Sequence, residues 1–371
     1  MTGRTAVTGR PAERPALDRS AFGPMTAGRW TLTTAAVVVA ALIPLVLSSQ
    51  YYLSVMVTTL ILVVLNISWN FVLGVAGVWN FGQLAIYALG GYGAGIIMLH
   101  STVSPWLALA AGGVVGTIAA VLLAFPTLRL YGIYTSLLTF AFAEVIQYVI
   151  LNDGSGITGG SFGLPAVSGL FGSLSPGAQN RAYYWTALAV VVAATLALAA
   201  VGQSGLGIAL RGIRDAPGYA AARGVNPLRY RIIAFAVSGF LAGIAGGLYV
   251  SAEGSIAPTV MGLTPMSVYV TMLVIGGLGT STGPILGTIL VQIVATALIT
   301  HPGAEFTILG LFLLIVVIFV PDGLTGLTSR YWHRIGAWAA EGDDADDEDT
   351  GKSAGQSARD QPEGSTDPHV A

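Results

Sequence analysis

Few residues in this 371-residue chain are equipped for chemistry, and their spacing excludes most of it. The only lysine, Lys352, stands in Gly351-Lys352-Ser353, the ending of a phosphate-cradling loop, but Asp346 occupies the place of the first glycine such a loop requires. No ATP site and no cofactor site is therefore assigned to the chain. It has no cysteine, which removes disulfides, thiolate nucleophiles and Cys-ligated metals. His100 and His301 stand near span ends without a His, Asp or Glu cluster, so no metal site is expected. Paired intramembrane aspartates and an H-E-x-x-H helix are also absent, and no catalytic residue is assigned.

What remains is a set of polar side chains inside apolar surroundings. Glu144 lies in "FAFAEVIQYVI" with Gln147 three residues on. An ionisable group at membrane depth is costly and a functional candidate, here for the substrate path. About two turns separate it from Asn152, so a place near the outer interface is the alternative. Asn66 and Asn70 share a helix face at i, i+4, and Asn80 and Gln83 follow in "VWNFGQ". These amides either bind helices together or line a path with weak, replaceable contacts. Gly276, Gly277, Gly279, Gly283 and Gly287 allow close helix packing, with a GxxxG step at Gly283 and Gly287, or a hinge before Pro284.

The elements that must position these groups follow from composition. A chain that is 54% hydrophobic and only 9% charged, with mean hydropathy +0.74, is too apolar for a soluble domain of this size. No Asp, Glu, Lys or Arg occurs from Trp30 through Leu128, from Ala182 through Leu210, or from Gly254 through Ala304. At about 20 residues per span, these deserts predict an all-α polytopic membrane protein with about 8–10 transmembrane helices, some short or broken. Ten apolar segments stand near Thr31 to Leu47, Leu53 to Leu73, Leu84 to Leu99, Pro105 to Phe125, Tyr131 to Leu151, Tyr183 to Val201, Arg231 to Val250, Pro265 to Leu278, Pro284 to Ile299 and Thr307 to Val320. The first reads as a retained span rather than a cleaved signal peptide. Residues 31–320 form the expected membrane domain; residues 1–30 and the acidic 321–371, with "EGDDADDED" from Glu341, are expected to lie on the cytoplasmic side without a fold of their own.

Basic residues orient the spans. Five arginines precede the first, and with an even number of crossings Arg129, the Arg211 to Arg231 stretch, Arg330 and Arg334 fall on the same side, leaving only Arg181 opposite. Residues 202–230 thus form a cytoplasmic loop and residues 152–181 an extracytoplasmic one. The latter, rich in Gly, Ser and Pro, reads as a flexible cap or as a docking surface for an external partner. Nothing in the charge pattern suggests nucleic acid.

The basic insert "RGIRDAPGYAAARGVNPLRYR" holds five of the sixteen basic residues. Asp215 fits an N-cap, Pro217 the first turn, Ala216 to Arg223 a short helix, Gly224 its stop, and Asn226-Pro227 the capped start of the next helix. So short a helix is marginal in water and needs a surface to hold it. Either the insert only fixes topology or it docks a partner.

"YGIYTSLLTFAFAEV" from Tyr131, "GITGGSFGLPAV" from Gly156, "ALRGIRDAPGYAAARGVNPLRYRIIAFAVSGFLAGIAGGLYV" from Ala209 and "VIGGLGTSTGPILGTIL" from Val274 together resemble the permease subunits of branched-chain amino acid ABC importers, over roughly Asn66 to Val320. The resemblance is nearest to the M-type of the two paired permeases. It implies a permease in the bacterial cytoplasmic membrane, working with a second related permease, two ABC ATPase subunits that use the ATP, an extracytoplasmic substrate-binding protein, and surrounding lipid. It places the ATPase-coupling element at Arg211 to Gly224, with Arg214, Asp215, Ala220, Ala221, Ala222 and Arg223 inside it. Of the family's loose "EAA...G" signature only Ala220 and Gly224 match; Tyr219 replaces an alanine, and Pro217 or Gly218 stands where many relatives carry Glu, so no role of that Glu is carried over. Urea or short amides are the neighbouring alternative for cargo. An ion-coupled secondary transporter would need no docking helix and more intramembrane charge.

Overall fold

The computed structural model describes residues 37–45, 49–130, 132–165, 167, 169–298 and 310–311. Among them the backbone is almost entirely helical, as it must be where no water is available to satisfy peptide groups. Helical residues 37–45 (α1) precede α2 (Gln50–Asn70), which runs into a π-helical turn, Phe71–Val75. Then follow α3 (Gln83–His100), α4 (Pro105–Thr127), α5 (Ile133–Leu151) and α6 (Pro176–Gln203). Two short helices, α7 (Gly205–Asp215) and α8 (Pro217–Ala222), lead into α9 (Pro227–Glu253), and α10 (Leu263–Gly276) and α11 (Gly283–Leu298) form a hairpin. Among the described residues, five helices are long and apolar enough to cross a membrane: Gln50–Val75, Pro105–Thr127, Ile133–Leu151, Pro176–Gln203 and Pro227–Glu253.

Eight of the ten expected segments coincide with α2, α3, α4, α5, α6, α9, α10 and α11. Only residues 37–45 of the first and 310–311 of the last are described, and the terminal segments 1–30 and 321–371 lie outside the described residues. At 1.5 Å per residue, the 14 residues of α10 reach about 21 Å, short of the roughly 30 Å hydrocarbon core.

The centre is α9, parallel to α3 and antiparallel to α2 and α4. It meets α3 and α4 through glycine. A Cβ added to Gly90 or Gly116 would strike the Gly243 backbone, one added to Gly243 would strike the Gly112 carbonyl, and one added to Gly246 the Tyr87 carbonyl. With no side chain between them the three backbones touch, and dispersion between close-packed atoms replaces a hydrophobic drive that lipid cannot supply. Leu107, Val114, Ile118, Leu122 and Phe125 line the exposed outer stripe of α4, where apolar atoms suit lipid tails. The loop after α5 is tied to the end of α9. Leu164 pairs with Ile256 in an antiparallel bridge, Val167 N–H bonds the Gly254 carbonyl, and Leu170 N–H bonds Ser251 Oγ. The helix that follows begins at Pro176, so residues 176–181 belong to α6 rather than to the loop expected at 152–181.

Candidate functional site

The basic insert is two helices, and this corrects the reading of Asp215. Gly207, Leu210 and Ile213 recur on one face of α7 and are buried against the spans, so the helix that carries Arg211 and Arg214 starts at Gly205 and ends at Asp215. Asp215 closes α7 and pairs through its carboxylate with Arg214 Nε at 2.9 Å. The N-cap position of α8 is Ala216, at φ −149° and ψ 77°, without a side-chain cap bond. The signal for α7 was in the sequence, as Leu206, Leu210 and Ile213 fall at helical spacing. It was masked by the charges interleaved among them.

The end of α8 follows the expected chemistry. Gly224 N–H bonds the Ala221 carbonyl at 3.0 Å and Val225 N–H bonds the Ala220 carbonyl at 3.1 Å, the paired pattern of a left-handed glycine stop, with Gly224 at φ +81°. Asn226 Oδ1 then accepts from Leu228 N–H and Arg229 N–H to start α9. Only Ala220 of α8 is buried; Pro217, Gly218, Tyr219, Ala221, Ala222, Arg223 and Gly224 all face outward. Tyr219 and Arg223 reinforce that outward face. The guanidinium donates to the Tyr219 hydroxyl at 2.6 Å and lies 5.1 Å from its ring centroid. Arg211 is half-buried on α7.

The amides form two sets of interhelical bonds. Asn66 Nδ2 donates to Thr288 Oγ1 at 2.8 Å and meets Met272 Sδ at 3.3 Å, joining α2 to α10 and α11. One turn on, Asn70 Oδ1 accepts from Gly279 N–H at 2.9 Å and Asn70 Nδ2 donates to the Thr280 carbonyl at 2.7 Å, clamping α2 to the loop between α10 and α11. In the second set Gln83 Nε2 donates to Ser68 Oγ at 3.1 Å and Ser238 Oγ at 2.9 Å, while Gln83 Oε1 accepts from Asn80 Nδ2 at 3.0 Å. All four amide side chains are buried; Asn66, Asn70 and Gln83 bond across helices, whereas Asn80 bonds locally to Gln83 and Gly82, and Asn66 Oδ1 has no partner among the described residues.

Glu144 is not among them. It is exposed on α5, the least enclosed of the five long spans, one turn from Gln147, which bonds the Pro258 carbonyl. A second acid was overlooked in the sequence. Glu253 closes α9 three residues beyond the apolar segment expected to end at Val250, and its Oε1 accepts from Thr58 Oγ1 at 2.8 Å. The glycines of the hairpin bring backbones together. Added Cβ atoms on Gly276 and Gly283 would meet each other's carbonyls, and one on Gly287 would meet the Met272 carbonyl. Gly277 and Gly279 turn the chain at φ +104° and +79°.

Spans joined by buried amides, a glycine-packed centre and an outward-facing helical insert define an all-α, multi-pass membrane protein. Residues 51–321 match the family described as branched-chain amino acid transport system / permease component, and the chain belongs to that family. It is 27% identical over 293 residues to the high-affinity branched-chain amino acid transport system permease protein LivM of Salmonella typhimurium, covering 73% of this chain and 69% of that one. It is likewise 27% identical over 310 residues to LivM of Escherichia coli, covering 77% and 72%. No solved structure matches at a significant level.

Proposed function

We propose that this chain is the permease subunit of an ATP-driven importer of branched-chain or other hydrophobic amino acids, set in a bacterial cytoplasmic membrane with its insert on the cytoplasmic side. The observation that carries the reading is the outward face of α8, Pro217 to Gly224, held on a helix whose other face is packed into the spans. A chain without a phosphate-binding loop needs such a surface to receive the force of separate ATPase subunits. The names of its relatives support the cargo.

One of two ATPase subunits receives α8, a second related permease completes the pathway, and an extracytoplasmic binding protein delivers cargo to the opposite face. There the loop after α5, fixed by its bonds to the end of α9, presents Phe162 at 94% exposure, a single aromatic anchor of the kind that protein interfaces use. Among the candidate path residues, Glu144 offers the open polar contact, whereas Asn66, Asn70 and Gln83 are engaged between helices.

The test is reconstitution of the chain in proteoliposomes with the partner subunits of its own operon. Leucine, isoleucine or valine uptake that requires ATP and the ATPase subunits is expected. Uptake without ATP would sink the ABC reading, and ATP-dependent uptake of urea with none of leucine, isoleucine or valine would reassign the cargo.

A further inference from the structure

We infer that Arg214 is the positioning residue through which movement of the insert reaches the inner ends of the spans, an inference that rests on the docking role of α8 proposed above. Arg214 stands in the last turn of α7, one residue before its end, and its side chain reaches across Gly77 to the turn that ends α2. Its Nη1 donates to the carbonyl of Gly74, in the π-helical turn that ends α2. A guanidinium there caps the negative end of the α2 dipole, and Asp215 on its Nε neutralises and orients the fork.

The aliphatic stem is seated as firmly as the head. It crosses Gly77, whose φ is +69°, and a Cβ added there would collide with the stem. Behind Gly74 lies the loop between α10 and α11: a Cβ on Gly74 would strike the Gly279 backbone, and one on Gly279 would stand 3.9 Å from Arg214 Nη1. Asn70 completes the stack by clamping Gly279 and Thr280 to the last turn of α2. Three chain segments remote in sequence thus meet around one guanidinium: the end of α2 with its π turn and Gly77, α7, and the α10–α11 loop.

The mechanical argument follows from the kinds of contact. Gly207, Leu210 and Ile213 are apolar and non-directional, so α7 can slide on them. The bond from Arg214 to one carbonyl is directional and cannot slide. The carbonyl it holds belongs to a π turn, whose spare residue allows an alternative hydrogen-bond register without unfolding. Tilting α7 against its docked ATPase therefore pulls on the turn, and through Asn70 on the α10–α11 loop.

The test uses the complete importer in proteoliposomes, comparing the native chain with Arg214→Ala, Arg214→Lys and Gly77→Ala. Arg214→Ala is expected to keep its ATPase subunits on purification while transport per ATP hydrolysed falls about tenfold or more, the scale of a typical coupling between sites. Arg214→Lys, which restores a cation to the carbonyl but not the fork, should recover part of that loss. Gly77→Ala displaces the stem and should lower the same ratio, adding little in the double variant because the two changes break one contact. Native transport per ATP in Arg214→Ala, a Lys variant no better than Ala, or full additivity with Gly77→Ala would each overturn the inference. Failure of the unaltered chain to retain ATPase subunits would instead remove the docking reading on which it rests.

Discussion

Asp153 holds a stretch of loop with a single side chain. Its carboxylate accepts from the hydroxyl and the amide of both Ser155 and Thr158, and those bonds, Ser155 first, hold its pKa well below the ordinary carboxylate range. A lowered folded pKa adds stability in full above the unfolded value of about 4, which declines below it and is lost only as pH falls through the lowered value. Hydrogen exchange should therefore find the Ser155 and Thr158 amides still protected at about pH 3; loss of protection already near pH 5 would contradict this. Gly224 makes a different local demand. Its left-handed backbone has open space around it, so Gly224→Val suffers from conformation rather than collision, at about 1–2 kcal/mol. The expected result is weaker co-purification of ATPase subunits with an unchanged melting temperature of the bundle. Equal retention of the subunits would mean that the insert only sets topology.

Among the elements, hydropathy located the spans because burial in lipid and helix formation both depend on local composition. Gly224 and Asn226 were legible for the same reason, since caps act over three or four residues. What escaped was non-local. The partners of Arg214, Gln83 and the loop after α5 lie 140, 155 and about 80 residues away, and no spacing in the chain records them. The amides were legible as polar residues in apolar helices, but their function as struts became visible only with Ser68, Ser238, Thr288 and Gly279 in place. The contact between α4 and α9 permits a direct check. Gly243→Val puts a branched side chain where the Gly112 carbonyl lies, and overpacking of that kind costs about 1–3 kcal/mol. A lower midpoint of thermal unfolding in detergent is expected, whereas Gly218→Val on the exposed face of α8 should leave that midpoint unchanged; a Gly243→Val protein that melts like the parent would show that α4 and α9 can part without loss.

For the whole molecule, the absence of cysteine makes topology measurable without background. Phe162→Cys and Gly218→Cys should be labelled by a membrane-impermeant thiol reagent from opposite faces, Phe162→Cys in intact cells and Gly218→Cys only after the inner face is opened. Labelling of both from the same face would contradict the membrane sidedness proposed from the arginines. The glycine contacts of α3, α4 and α9 have a further bearing at this scale. Gly90, Gly112, Gly116, Gly239, Gly243 and Gly246 fall in one oblique band across three helices. Because a Cβ at each would fall within 3.0 Å of neighbouring atoms, a saturation scan read out as growth on the transported amino acid should trace that band as a line of the least tolerant sites. Such a line is a surveyor's benchmark: it fixes how far each of the three helices is displaced along its neighbours from viability alone.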